Sequence, residues 1–286
     1  MRKGLIASAL VMMLVAMPAT AQQAAGGARE IAYGADALQK FDLYAARGVA
    51  GPAPLIVFVH GGGWRQGDKR NATGSEMMPH FTGRGLAFAT VNYRLVPGAK
   101  VEDQAQDVAD AVGYLVKHAR ELGIDASRIV LAGHSAGAHL SALVATDPQY
   151  LQRAGLGLDR LKGVILLDGA AYDVPAQRQD GARIMQRVYS QAFGDDPARQ
   201  RALSPTLQAV APNAPAFLIL HVDREDGKRQ SEALGTALRG AGASVSVQAL
   251  EGKGLRGHMA INRSLGDPHY PGTAIVDRWI DRLIRK

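Results

Sequence analysis

At 286 residues the chain is long enough for one large α/β domain with a substantial buried core. A hydrophobic content of 47% is ordinary for a soluble globular protein, and the absence of Cys removes disulfides, thiol nucleophiles and thiolate metal sites together. The formal charge of +7 is dispersed in runs of no more than two like charges, which describes a solvated surface and not a nucleic-acid patch.

The chain opens on a secretory signal pattern. Arg2 and Lys3 are basic, Leu5 to Met17 is apolar, and Ala19-Thr20-Ala21 is a small-x-small cleavage site. Residues 1–21 are therefore read as a signal peptide, with 22–30 as a linker. The apolar run is shorter than a spanning helix needs, so the mature protein is expected to be periplasmic or secreted, without a membrane span. Its net charge would be +5, from 31 basic and 26 acidic residues.

From residue 31 onward a single catalytic domain is expected. An antiparallel edge hairpin is assigned between Arg29 and Tyr44. The continuous apolar runs at Pro54–Val59, Leu86–Val91, Ile129–Ala132, Val164–Leu167 and Ala216–Leu220 read as buried strands, and Ser244–Leu250 ends the series. Between them, Val101–Leu122, Ala136–Ala145, Gln230–Ala241 and Ala274–Ile284 carry apolar residues at helical spacing. This alternation predicts an α/β fold with a mainly parallel central sheet covered on both faces, and chemistry at the carboxyl ends of its strands. Residues 170–212 break the pattern and are read as a small helical cap.

Two motifs fall at such strand ends. Gly133-His134-Ser135-Ala136-Gly137 stands between a buried strand and a helix. A sharp turn there strains the serine and exposes it beside a helix N-terminus, with glycines letting the chain pass closely. Ser135 is the expected nucleophile. His60-Gly61-Gly62-Gly63-Trp64 follows the first long strand and leaves backbone amides bare. Acyl transfer uses such donors at the developing oxyanion, each contributing ~3–4 kcal/mol. Gly62, Gly63 and Ala136 are assigned that role, with the Trp64 indole as a rival, while His60 is read as a brace for the loop.

His-Gly-Gly-Gly-Trp, followed by Asn92-Tyr93-Arg94-Leu95 and then Gly-His-Ser-Ala-Gly-Ala-His, resembles the α/β-hydrolase superfamily. Within it, the chain is similar to the esterase/lipase branch holding hormone-sensitive-lipase-like carboxylesterases and arylformamidases. The resemblance implies a Ser–acid–His order. The acid is then sought after the next-to-last strand, where Asp223 is favoured, Asp226 is the alternative and Glu225 ranks third. The base is sought after the last strand, where His258 in a flexible loop is preferred to His269; His139 is expected to pack against the sheet, and His80, His118 and His134 receive no catalytic role.

The sequence thus predicts a serine carboxylic-ester hydrolase acting on small-molecule esters of short or compact acyl groups, with no cofactor and no metal. An arylformamidase is the same-fold alternative, although export argues against it. A non-catalytic binding protein of this fold is the alternative from another class, against which Ser135, His258 and the glycines all count.

Overall fold

A computed structural model describes residues 27–181 and 183–284. The expected signal peptide, and the linker as far as Gly26, lie outside the described residues. The short strands β1 (Arg29–Ala32) and β2 (Lys40–Tyr44) form the expected antiparallel hairpin, so the linker's last two positions already belong to the sheet. Six further strands follow: β3 (Ala53–Val59), β4 (Ala87–Val91), β5 (Ile124–His134), β6 (Leu161–Leu167), β7 (Ala216–Asp223) and β8 (Ser244–Lys253). The eight form one sheet in the order β1-β2-β4-β3-β5-β6-β7-β8. β2 meets β4 antiparallel, and every pairing from β4 to β8 is parallel.

Apolar side chains cover both faces of this sheet. Along β3, Leu55, Val57 and Val59 join one core and Ile56 and Phe58 the other, the period-two alternation of a strand. The first core is closed by α2 (Val101–Lys117), α4 (Ala136–Thr146) and α10 (Glu225–Gly240). Against the second lie α1 (Met77–Gly83), α11 (Gly254–Arg263) and α12 (Pro271–Ile284), through Met77, Phe81, Ile261, Val276 and Ile280. The predicted helix over 101–122 divides at His118, with α3 (Ala119–Leu122) as a separate turn. α10 begins five residues earlier than its apolar spacing indicates, because Glu225 and Asp226 occupy a first turn where the helix dipole favours negative charge. The short helix α5 (Pro148–Arg153) continues from α4.

Residues 170–212 form a helical excursion of α6 (Val174–Asp180), α7 (Gln186–Phe193), α8 (Pro197–Ala202) and α9 (Pro205–Gln208). It rests on the sheet's carboxyl-end face through the buried Tyr189 and Phe193. Chain order reverses across the sheet centre: β3 is followed by β4 on one side, while β5 lies on its other side. The crevice outside the carboxyl ends of β3 and β5 is therefore the topological switch point of the sheet, the usual ligand site of open α/β folds. Both sequence motifs leave the sheet there.

Candidate active site

Ser135 sits between the last residue of β5 and the first of α4, at φ 55° and ψ −120°. Positive φ is unusual for a residue with a side chain and is strained. The turn is held by Ser135 N–H donating to Leu167 O (3.0 Å) and by His139 N–H donating to Ser135 O (3.1 Å). Its flanking glycines are sterically required. A Cβ at Gly137 would run into the Val59 carbonyl, and one at Gly133 into the Gly137 carbonyl. Ala136 takes the first helical position, where a backbone N–H has no partner within the helix.

The glycine loop bends across this turn. Gly62 and Gly63 both have positive φ, at 119° and 61°, and a Cβ on Gly62 would strike the Gln66 carbonyl. Gly62 O accepts from the amides of Arg65 and Gln66, closing the loop, while the Gly62 and Gly63 amides bond to no acceptor among the described residues. Gly61 lies against the serine, since a Cβ there would stand 3.1 Å from Ser135 Cβ. The loop is braced from below. His60 Nδ1–H donates to Gly61 O (2.7 Å), its ring stacks on Tyr93 at 4.3 Å, and the Tyr93 hydroxyl donates to His60 O (2.9 Å). Arg94 in turn grips the fully buried Asp107 with contacts of 2.7–3.1 Å. The Asn92-Tyr93-Arg94 segment is thus a support for the loop.

The Trp64 indole, the expected rival donor, is committed elsewhere. It is 1% exposed and donates to His139 Nδ1 (3.2 Å), while His139 Nε2–H donates to Leu203 O (2.9 Å). Trp64 also packs edge-on against Phe193 of α7 at 4.8 Å. His139 is fully buried, but its ring meets Trp64, Phe193 and Leu203 O, which places it beneath the helical excursion where packing against the sheet was expected. Burial pushes its pKa down to about 4.

His258 is carried by α11 and not by a flexible loop. Its Nδ1–H donates to a carboxylate at 2.6 Å, and that carboxylate belongs to Asp168, which directly follows β6. Asp223, the acid the sequence favoured, is not brought to His258. At the end of β7 its side chain is 73% exposed, and its basic neighbour is Lys253 at 3.8 Å. The physical reason lies in the strand's alternation: Val222 points into the core, which turns Asp223 outward. The alternative, Asp226, is spent on Arg224 Nη1 (2.8 Å) and Gln177 Nε2 (2.9 Å). His269 is exposed, and His80 and His118 pair with Asp277 and Glu121.

Asp168 has no exposed side-chain surface, and its backbone turns at φ 41° with its N–H on Leu220 O. It accepts from His258, from Val222 N–H (3.2 Å) and from Arg224 Nε–H (3.2 Å). Burial pushes its pKa up, but the His258 hydrogen bond and the Arg224 charge outweigh it and hold the carboxyl below its ordinary range. With Nδ1 committed to Asp168, the imidazole keeps Nε2 free as an acceptor. His134 supports the arrangement by packing its ring 4.5 Å from His258 and donating from Nε2 to His258 O (2.8 Å). Burial first, then the neighbouring His258, lower the His134 pKa to about 3, so this ring stays neutral.

A strained serine at a strand–helix turn, bare amides beside it and a histidine paired with a buried carboxylate define an α/β-hydrolase of the esterase/lipase branch. A family model matches residues 41–238, well over half of the chain, and the protein belongs to that BD-FAE family. The chain is similar to probable isoprenylcysteine alpha-carbonyl methylesterase ICMEL1 of Arabidopsis thaliana. The identity is 28% over 240 residues, covering 79% of this chain and 50% of the relative. Against esterase LipC of Mycobacterium tuberculosis it is 31% identical over 206 residues, with 69% and 51% covered. The chain thus spans about half the length of these curated relatives. In fold it is similar to a truncated form of carbohydrate esterase from gut microbiota. There the TM-score is 0.75 at 20% identity, covering 90% of this chain and 95% of that one.

Proposed function

We propose that the protein is an exported serine carboxylic-ester hydrolase working through an acyl-enzyme on Ser135. The observation that carries this reading is that His134, next to Ser135 on its strained turn (φ 55°), bonds the His258 carbonyl (2.8 Å), while His258 holds buried Asp168 at 2.6 Å. His258 Nε2 takes the hydroxyl proton as Ser135 Oγ attacks the ester carbonyl, then returns it to the departing alcohol. Water repeats the attack on the acyl-enzyme, with His258 again as base, and releases the acid. Asp168, in place of Asp223, fixes the imidazole tautomer and stabilises the imidazolium. The amides of Gly62, Gly63 and Ala136 receive the oxyanion.

Compact acyl groups suit the site, because α7 stands close over the oxyanion loop. A Cβ on Gly63 would come 3.0 Å from Val188, and Trp64 and Phe193 fill the space behind. The names of the similar proteins support ester substrates without choosing one. Turnover of p-nitrophenyl acetate and of N-formylkynurenine by wild type and Ser135→Ala tests the reading. Ester turnover that vanishes in the variant supports it, and a strong preference for the formamide refutes the ester assignment.

A further inference from the structure

Arg224 is the N-cap of α10, yet its side chain turns back across the end of the sheet and spends every donor group on the active-site side. Nε–H reaches Asp168 (3.2 Å), Nη1 reaches Asp226 (2.8 Å) and Nη2 reaches Gly169 O (3.0 Å). The side chain is 19% exposed, so these contacts are only weakly screened by solvent. Asp226 continues the chain by accepting from Gln177 Nε2 (2.9 Å) in α6, while Gln177 Oε1 receives the Ala171 amide (3.0 Å). A second tie runs parallel to it, where Gln230 of α10 bonds both the N–H and the carbonyl of Asp173.

A surface arginine capping a helix would not need this layout. Asp168 stands at positive φ at the root of the cap, where Val222 N–H holds its Oδ1 while His258 Nδ1 and Arg224 Nε share its Oδ2. The guanidinium adds a charged donor on the oxygen that His258 uses, and its planar fork reaches that carboxylate and the adjacent Gly169 carbonyl together, so the carboxylate is held in plane toward the imidazole. We infer that Arg224 is a positioning residue for the reaction. It orients Asp168 on His258 and links that carboxylate, through Asp226 and Gln177, to the cap helix α6. This rests on the assignment of Ser135, His258 and Asp168 made above. The linkage makes the cap's seating and the orientation of the acid one event, so a substrate that lifts α6 also loosens the base.

The test is the pH dependence of kcat and KM for p-nitrophenyl acetate in Arg224→Gln and Arg224→Lys, with thermal melts of each. The charged and titratable groups around the pair are His134 from β5, Arg224 and Asp226 from the start of α10, and Tyr172 and Tyr270. Only the Arg224 charge is altered. Removing a positive charge beside the pair favours its protonated form, so the acid limb of kcat/KM moves to higher pH in Arg224→Gln. kcat falls roughly 10- to 100-fold while KM stays within about twofold, the pattern of a group acting through the base. Arg224→Lys keeps the charge, leaves the limb in place and recovers part of kcat. Added methylguanidine restores part of the activity of Arg224→Ala. A limb unmoved in Arg224→Gln, or equal kcat losses in both folded variants with no rescue, overturns the inference. Wild type that fails to react with a fluorophosphonate overturns the underlying assignment instead, so the two failures are distinguishable.

Discussion

Replacing Asp168 by Asn separates the two carboxylates that compete for the acid's role. The shape is kept, but the amide can turn its NH2 toward His258 Nδ1, which must then accept. The ring proton moves to Nε2, which leaves His258 with no site to accept the serine proton. A wrong-tautomer substitution of this kind lowers kcat by ~10⁴, or about 5 kcal/mol of barrier. Stability also falls, since Arg224 loses one of two carboxylates in a largely buried setting; about 3 kcal/mol is expected, the lower end for a broken buried pair because Asp226 remains. Asp223→Asn removes only an exposed carboxylate 3.8 Å from an exposed Lys253 and should leave kcat within about twofold. The assay is p-nitrophenyl acetate hydrolysis, corrected for the folded fraction from circular dichroism melts. Loss of activity in Asp223→Asn with retention in Asp168→Asn would refute the reasoning.

Gly62→Ala forces a Cβ into the Gln66 carbonyl and displaces an oxyanion donor, so kcat should fall ~10²–10³-fold with the fold retained, as stopped-flow acylation and a melt will show. Trp64→Phe leaves His139 Nδ1 unpaired and costs about 1–3 kcal/mol in urea unfolding, while activity per folded molecule persists because the indole is committed to His139. His134 and His139 are held neutral by burial, with pKa values near 3 and 4 against an ordinary 6.5. The unfolded chain therefore binds more protons below pH 6.5, and their contribution to stability, whole above that pH, drains away as pH falls. Between pH 7 and 5 urea unfolding should lose about 4 kcal/mol, roughly 2 from each ring, and a flat profile would contradict the buried neutral rings.

The fold was legible because its centre is written in short continuous apolar runs, Leu55–Val59 and Val164–Leu167 among them, too brief for a buried helix and alternating with helical segments. Ser135 was legible because its glycines answer to backbone collisions that any larger residue would cause. The carboxylate that meets His258 was not, because Asp168 looks like the polar residue that ends a strand, whereas Asp223 holds the position that the family order implies. A usable signal was present nonetheless: Asp168 is a lone carboxylate at the carboxyl end of the strand beside β5, with a glycine after it. Arg224 escaped notice for a related reason, since Asp-Arg-Glu-Asp reads as a solvated charge cluster until the chain folds its guanidinium inward. The helix carrying His258 was hidden by Gly252, Gly254 and Gly257, which suggest a flexible loop. Two of these glycines instead let α11 lie on the end of β8, where a Cβ at Gly252 would stand 2.9 Å from Gly257 Cα.

The most direct test of the central claim is the site of covalent capture by a fluorophosphonate, read by intact mass and peptide mapping. One adduct per chain is predicted on the peptide containing Ser135, with none on Ser135→Ala and markedly slower capture by Asp168→Asn. No adduct on folded wild type, or an adduct on any other residue, would contradict the account.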